Sequence, residues 1–167
     1  VLRQVRKPLI VMAPKSLLRS PLATSTVSEL ADGHFQRVIP DRDEPHDCKR
    51  IVFCSGKVYY DLLQARSDAR GDYEVPVALH RVEMLHPFPG KEIGVLLDKH
   101  PGAEVVWCQE EPRNMGAWPS LFHWWHDHFP ERRIQYVGRP GSASPAGGSN
   151  KADRALQRRL VAKAIEL

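Results

Sequence analysis

The residues best suited to chemistry crowd into one stretch, WCQEEPRNMGAWPSLFHWWHDHF, which spans residues 107–129. His123, His126 and His128 suggest zinc. His123 and His126 stand three apart and share a face if the segment is helical, whereas His128 points elsewhere, so a metal would need a further ligand from a distant segment. The His-Glu-x-x-His spacing of helical zinc sites is missing. The segment therefore reads as a packing helix. Phe122, Trp124 and Trp125 would cover a sheet or a partner surface, with the histidines at its wet margin, and no metal site is expected.

Two other places invite chemistry. At Ser55-Gly56-Lys57 a glycine and a lysine open a helix, where free backbone N–H groups attract phosphate; the full Gly-x-x-x-x-Gly-Lys-Ser/Thr loop is not there, and a tight strand-to-helix turn is the plainer reading. Glu110 and Glu111 are expected directly after a strand, a position where α/β proteins often place functional groups. Adjacent carboxylates point apart, so a salt bridge or a helix cap fits each better than a shared acid–base role. Cys48, Cys54 and Cys108 are odd in number and lack Cys-x-x-Cys spacing, which indicates a reducing compartment and neither a disulfide framework nor a zinc knuckle.

The elements that position these groups follow from periodicity. Short apolar runs recur at 9–13, 51–54, 75–79 and 105–108, with a weaker one at 134–137. Most are followed by a turn signal and a helical pattern. VYYDLLQAR (58–66) aligns Val58, Leu62 and Leu63; KEIGVLLDKH (91–100) aligns Ile93, Leu96 and Leu97; a helix to about Phe129 follows the turn at 112–116. From about Lys151, an amphipathic closing helix carries Leu156, Leu160, Val161 and Ile165 among Arg154, Arg158, Arg159 and Lys163. Continuously apolar strands alternating with helices predict an α/β fold around a mostly parallel sheet. The segments DRDEPHD (41–47) and GRPGSASPAGGSN (138–150) interrupt the rhythm and are expected as surface loops.

With 167 residues and 42% hydrophobic content, the chain is long enough for one self-sufficient core, and a single domain over 1–167 is expected. The net charge of +4 is too small to imply nucleic acid. No acid precedes Glu29, however, while Arg3, Arg6, Lys7, Lys15 and Arg19 all do. That basic stretch is either a solvated or partner-contacting face or an anion site; Arg6, Lys7, Lys15, Arg19 and Lys57 are the candidates for holding a phosphate-bearing effector. The run LIVMA is too short for a signal-peptide core, and nothing has the length of a membrane span, so a soluble chain is expected. It begins with Val1 and is expected to be part of a larger polypeptide.

Five blocks carry a resemblance: KPLIVMAPKSLLRSP (7–21), CSGKVYYDLL (54–63), RVEMLHPFP (81–89), WCQEEPRNMGAW (107–118) and GRPGSASPA (138–146). In this order they resemble the carboxyl-terminal domain of the first, decarboxylating component of 2-oxoglutarate dehydrogenase complexes. The resemblance implies a transketolase C-terminal-like three-layer α/β domain with a five-stranded, mainly parallel sheet. It departs from the family's usual pattern at Met115, where glutamine is common, and at Met84 within Glu83-Met84-Leu85, where glutamine is again usual. A 2-oxoadipate-specific relative is the alternative.

Such enzymes use thiamine diphosphate with magnesium, whose ylid attacks the 2-oxo carbon and holds the resulting carbanion. The magnesium-diphosphate motif is not in this chain, so neither a cofactor nor a catalytic residue is expected in it. The resemblance implies support by dimer packing and domain positioning, with Glu110, Glu111, Asn114 and Trp118 as interface candidates. The implied partners are the earlier domains of the same enzyme, a second copy in the full-length homodimer, and the lipoyl-bearing second component, with no nucleic acid and no membrane. A regulatory module for a nucleotide or acetyl-coenzyme A is the other reading. The implied location is the bacterial cytoplasm or, in a eukaryote, the mitochondrial matrix.

Overall fold

The computed structural model describes residues 7–8, 10–69 and 75–166. The chain divides into two compact units, Val1–Gly33 and His34–Leu167. In the first, Lys15–Arg19 form a 3-10 helix and Val27–Ala31 form α1. A capping box starts α1: the Thr26 hydroxyl accepts from the Glu29 N–H at 3.2 Å while the Thr26 N–H donates to Glu29 Oε2 at 2.7 Å. None of the described residues of this unit is buried.

One expectation fails here. Where it is described, the apolar run at 9–13 forms no strand: residues 10–14 lie outside regular structure, and Ile10, Val11 and Met12 are exposed. Apolar character marks a segment that burial would favour, but a strand also needs a neighbour with free N–H and C=O groups.

The second unit holds the sheet. Its elements are β1 (Val38–Ile39), β2 (Arg50–Cys54), α2 (Val58–Ala69), β3 (Val77–Val82), α3 (Gly90–Lys99), β4 (Glu104–Pro112), α4 (Trp118–His128), β5 (Gln135–Arg139) and α5 (Asn150–Ile165). The strand order is β1-β3-β2-β4-β5, with every pair parallel except β1 against β3. The five-stranded, mainly parallel α/β architecture thus holds, with β1 in place of the strand expected at 9–13. Alternation along the strands sorts side chains to two faces. Ile51, Phe53, Val105 and Trp107 meet Ile93 and Leu97 of α3 and Leu121 and Trp125 of α4. On the other face Val52, Cys54, Val106 and Cys108 meet Val58 and Leu62 of α2 and Leu160, Val161 and Ala164 of α5. The result is three layers.

All three cysteines are free and buried. Cys54 and Cys108 are partners in register on adjacent strands, and burial pushes the Cys108 thiol up to about 12, so both belong to the apolar core.

Most of the segment 41–47 lies at the surface as expected, but Asp41 and Pro45 do not. Asp41 is buried, because β1 covers only the far end of β3 and leaves the rest of that edge to side chains. The Asp41 carboxylate accepts the Leu79 N–H at 2.7 Å and forms a two-pronged ion pair with Arg66 of α2, with Nη2 to Oδ1 at 3.0 Å; Arg66 Nη1 also donates to the Val77 carbonyl at 3.0 Å. The pair therefore completes the open ladder of β3 and ties α2 to it. Beside it the fully buried His80 accepts the Asp41 N–H on Nδ1 at 3.0 Å. Its Nε2 lies 3.9 Å from Glu44 Oε1, and Glu44 is held by Lys99 at 2.7 Å and His100 at 3.0 Å.

Candidate functional site at the carboxyl end of the sheet

β4 outruns its neighbours. It stays in register with β5 from Val106 to Cys108, where Cys108 faces Val137, and next meets it at Pro112 opposite Arg139. Four steps on β4 thus answer two on β5, and the irregularity carries Gln109, Glu110 and Glu111. The two glutamates therefore lie within the strand rather than after it. The irregularity aims consecutive side chains at different targets.

Gln109 is turned inward. Its Oε1 accepts from Trp107 Nε1 at 2.9 Å and from the Trp118 N–H that opens α4 at 3.0 Å. Its Nε2 donates to the carbonyls of Met115 at 2.8 Å, Pro112 at 3.2 Å and Glu111 at 3.3 Å. One buried amide thus holds the turn from β4 to α4. Gly116, at φ 67°, passes so close that a Cβ there would meet Gln109 Nε2 at 3.0 Å. Gly138 on β5 is equally constrained: a Cβ would lie 2.7 Å from the Gln109 carbonyl oxygen. The Tyr136 hydroxyl donates to the carbonyls of Arg139 at 2.8 Å and Glu111 at 3.1 Å, and burial pushes its pKa up to about 12. Replacing Gln109 by alanine leaves several of these groups without partners and is expected to cost about 2 kcal/mol of folding stability. A urea midpoint unchanged from wild type would refute it.

Glu110 faces the opposite layer. Its Oε1 accepts from Gln157 Nε2 of α5 at 2.8 Å and lies 3.3 Å from Lys57 Nζ at the start of α2. Lys57 also pairs with Asp61 at 2.5 Å, and Gln157 reaches the same Asp61 oxygen at 2.8 Å. Burial by itself would lower the Lys57 pKa, but the bond to Asp61 and the charges of Glu110 and Asp61 outweigh it and raise the pKa. The turn is built as anticipated, with Gly56 at φ 75°, and its lysine sits between two carboxylates.

The sequence placed Lys57 and Glu110 in separate candidate groups, and the fold joins them through Asp61 and Gln157. Of the other anion candidates, Arg6 lies outside the described residues. Lys7, Lys15 and Arg19 are exposed in the first unit. The three residues per turn of a 3-10 helix set Lys15 and Arg19 about 120° apart instead of on one face.

Among the interface candidates, Glu111 is exposed. Asn114 clasps Ser142: its Nδ2 donates to the Ser142 carbonyl and its Oδ1 accepts the Ser142 N–H, both at 2.9 Å. These two hydrogen bonds fix the first part of the 138–150 loop. Trp118 is buried, with its ring 5.2 Å from Tyr136 and 5.3 Å from Phe122. Arg113, Asn114, Trp118, Phe122 and His123 line an open groove of about 500 Å³. Sequence reasoning missed Gln109, Asp61 and Gln157. The available signal was a glutamine ending an apolar strand immediately before a Pro-to-Gly turn.

The histidines of α4 are exposed, as expected of a margin. His126 and His128 donate from Nδ1 to the carbonyls of Phe122 and Trp124 of their own helix, each at 2.8 Å. Among the described residues no group of three or more His, Cys, Asp or Glu side chains could hold a metal ion. No helix among them is long and apolar enough to cross a membrane. The site's polar groups are thus engaged with one another, in an arrangement suited to holding a surface in shape.

Residues 24–165 match the family model described as 2-oxoglutarate dehydrogenase C-terminal. The chain is 47% identical to the 2-oxoglutarate dehydrogenase E1 component of Haemophilus influenzae over 98% of its length and 44% identical to that of Cupriavidus necator, also over 98%. It is 42% identical, over 95% of its length, to the mitochondrial 2-oxoglutarate dehydrogenase of Caenorhabditis elegans. The chain spans 18% of the length of the two bacterial relatives and 16% of the nematode one. A match over so much of the chain shows that this chain belongs to the 2-oxoglutarate dehydrogenase C-terminal family.

Proposed function

We propose that the chain is the non-catalytic carboxyl-terminal domain of the first component of a 2-oxoglutarate dehydrogenase, where it supports dimer packing and domain positioning for oxidative decarboxylation and succinyl transfer to lipoyl groups. The observation that carries this reading is the match of nearly the whole chain to a minor part of much longer relatives bearing that name. 2-Oxoglutarate is preferred to 2-oxoadipate on the same ground. Thiamine diphosphate, bound with magnesium elsewhere in the polypeptide, supplies the carbanion chemistry; no described group of residues here fits that metal, and none is assigned to it.

The proposed partners are the earlier domains of the same enzyme, a second copy, and the lipoyl-bearing second component. The exposed Ile10, Val11 and Met12 suit contact with further protein, as do Glu111 and the groove beside Trp118. The proposed setting is the bacterial cytoplasm or the mitochondrial matrix. An anion-binding role fits Lys7, Lys15 and Arg19, which have no carboxylate partner among the described residues, better than Lys57, which has two.

The test uses three preparations with thiamine diphosphate and magnesium: the native-length polypeptide that carries this chain, the same polypeptide lacking residues 34–167, and the chain alone. Release of carbon dioxide from 2-oxoglutarate is expected only from the first. Release by the chain alone, or undiminished release after the deletion, would overturn the proposal.

A further inference from the structure

Five exposed cations run along α5: Lys151, Arg154, Arg158, Arg159 and Lys163, none with a carboxylate partner among the described residues. The acid in the helix's first turn, Asp153, is engaged by Arg139 at 3.2 Å and does not offset them. Lys151, Arg154 and Arg158 fall on one stripe at helical spacing. Arg154 and Arg158 form one wall of an open groove of about 420 Å³ between α5 and α2, with Val161 and Ala65 among its apolar lining.

The opposite wall carries the other sign. Lys57 and Asp61 are consumed by each other, by Glu110 and by Gln157. Asp68 is exposed, accepts only a neutral hydrogen bond from Gln64 at 2.8 Å, and has no cation partner among the described residues. The groove therefore presents free positive charge from α5 and free negative charge from the end of α2, across an apolar floor.

We propose that this groove docks a peptide segment of a protein partner whose two edges are oppositely charged, with carboxylates toward Arg154 and Arg158 and a lysine or arginine toward Asp68. The two arginines are one turn apart, about 6 Å along the axis, which matches carboxylates four residues apart on a helix. It is also close to the roughly 6.7 Å between alternate residues on a strand. A nucleic acid suits the groove less well, because its phosphates would meet Asp68 and Asp61 on the α2 wall. The inference does not depend on the proposed enzymatic role, since it uses only the charge and shape of this surface.

Three probes would test it on the native-length polypeptide that carries this chain: a helical peptide with glutamates along one edge and lysines along the other, polyglutamate, and polyuridylate. Fluorescence anisotropy at low salt should show the two-edged peptide binding more tightly than either homopolymer. The double substitution Arg154→Glu with Arg158→Glu should weaken it about ten-fold or more, since like charges would then face each other. Asp68→Lys should weaken the two-edged peptide about three-fold and strengthen polyglutamate. These exposed substitutions should leave the circular dichroism spectrum unchanged. No binding of the two-edged peptide, unchanged binding by the double variant, or tighter binding of polyuridylate through the same arginines would overturn the proposal.

Discussion

Replacing Asp41 by alanine is expected to lower folding stability by about 3–5 kcal/mol, the range for breaking one side of a buried ion pair. The substitution removes three things together. Arg66, itself buried, keeps its charge without a counterion; the Leu79 N–H loses its acceptor; and the loop from β1 loses its tie to α2. Asp41→Asn separates these effects, because its amide oxygen can still accept from Leu79 while the charge is lost, so it should cost less than alanine. The double change Asp41→Leu with Arg66→Met removes both charges and should recover part of the loss. Recovery should be incomplete, since the Leu79 N–H and the Val77 carbonyl each lose a partner. Urea denaturation of the three variants and the wild type provides the check, and an Asp41→Ala stability within about 1 kcal/mol of wild type would show that the edge of β3 is satisfied otherwise.

The second large effect is a dependence of stability on acid. His80 is held neutral: burial, the dominant cause, pulls its pKa down from 6.5 to about 4, against the opposing pull of Glu44 and Asp41 and with the help of Lys99 and His100. Its Nδ1 already accepts the Asp41 N–H, so in the neutral ring the proton sits on Nε2, and protonation would turn that acceptor into a donor facing a donor. The unfolded chain takes up a proton at His80 near pH 6.5 and the folded chain does not until about pH 4. Stability from this group is therefore complete above pH 6.5 and declines between pH 6.5 and 4, by about 3 kcal/mol in all. Glu44 acts in the same direction at lower pH. Burial would raise its pKa, but Lys99 and His100 outweigh burial and lower it, so its contribution is lost as acid protonates it. In His80→Asn the amide oxygen can replace Nδ1 as acceptor while nothing titrates. The slope of unfolding free energy against pH between 6.5 and 4.5 should then flatten, whatever the variant's stability at neutral pH. Equal slopes for the two proteins would show that His80 is not the group responsible.

The first effect arises in a segment that sequence reasoning assigned to the surface, and the second on β3, where Asp41 of that segment packs against it. DRDEPHD has no periodicity and high charge, and those properties describe most solvated loops. The charge of Asp41 is matched by Arg66, which lies 25 positions along the chain on α2. Periodicity within a window is blind to such a partner. The strand expected at 9–13 failed for a related reason, since its apolar character was plain but β3 took its antiparallel neighbour from Val38–Ile39, a segment of only two paired residues. At the candidate site the turn at Gly56, the helices α2 and α4 and the importance of Glu110 were all legible. The joining of Lys57 to Glu110, and the role of Gln109, were not.

What the sequence by itself determined is therefore the layered α/β plan, four of the five strands, the helices that cover them, and the family blocks, because each is written in short-range spacing or contiguous motifs. Only the tertiary structure decided which polar groups are shared. It placed Asp41 and His80 inside, seated Lys57 between two acids, turned Gln109 into the turn, and left Arg154 and Arg158 without carboxylate partners among the described residues. The physical reason is that an ion pair or a buried hydrogen bond is a property of two groups at one point in space, and their positions along the chain do not specify that point until the sheet has ordered them.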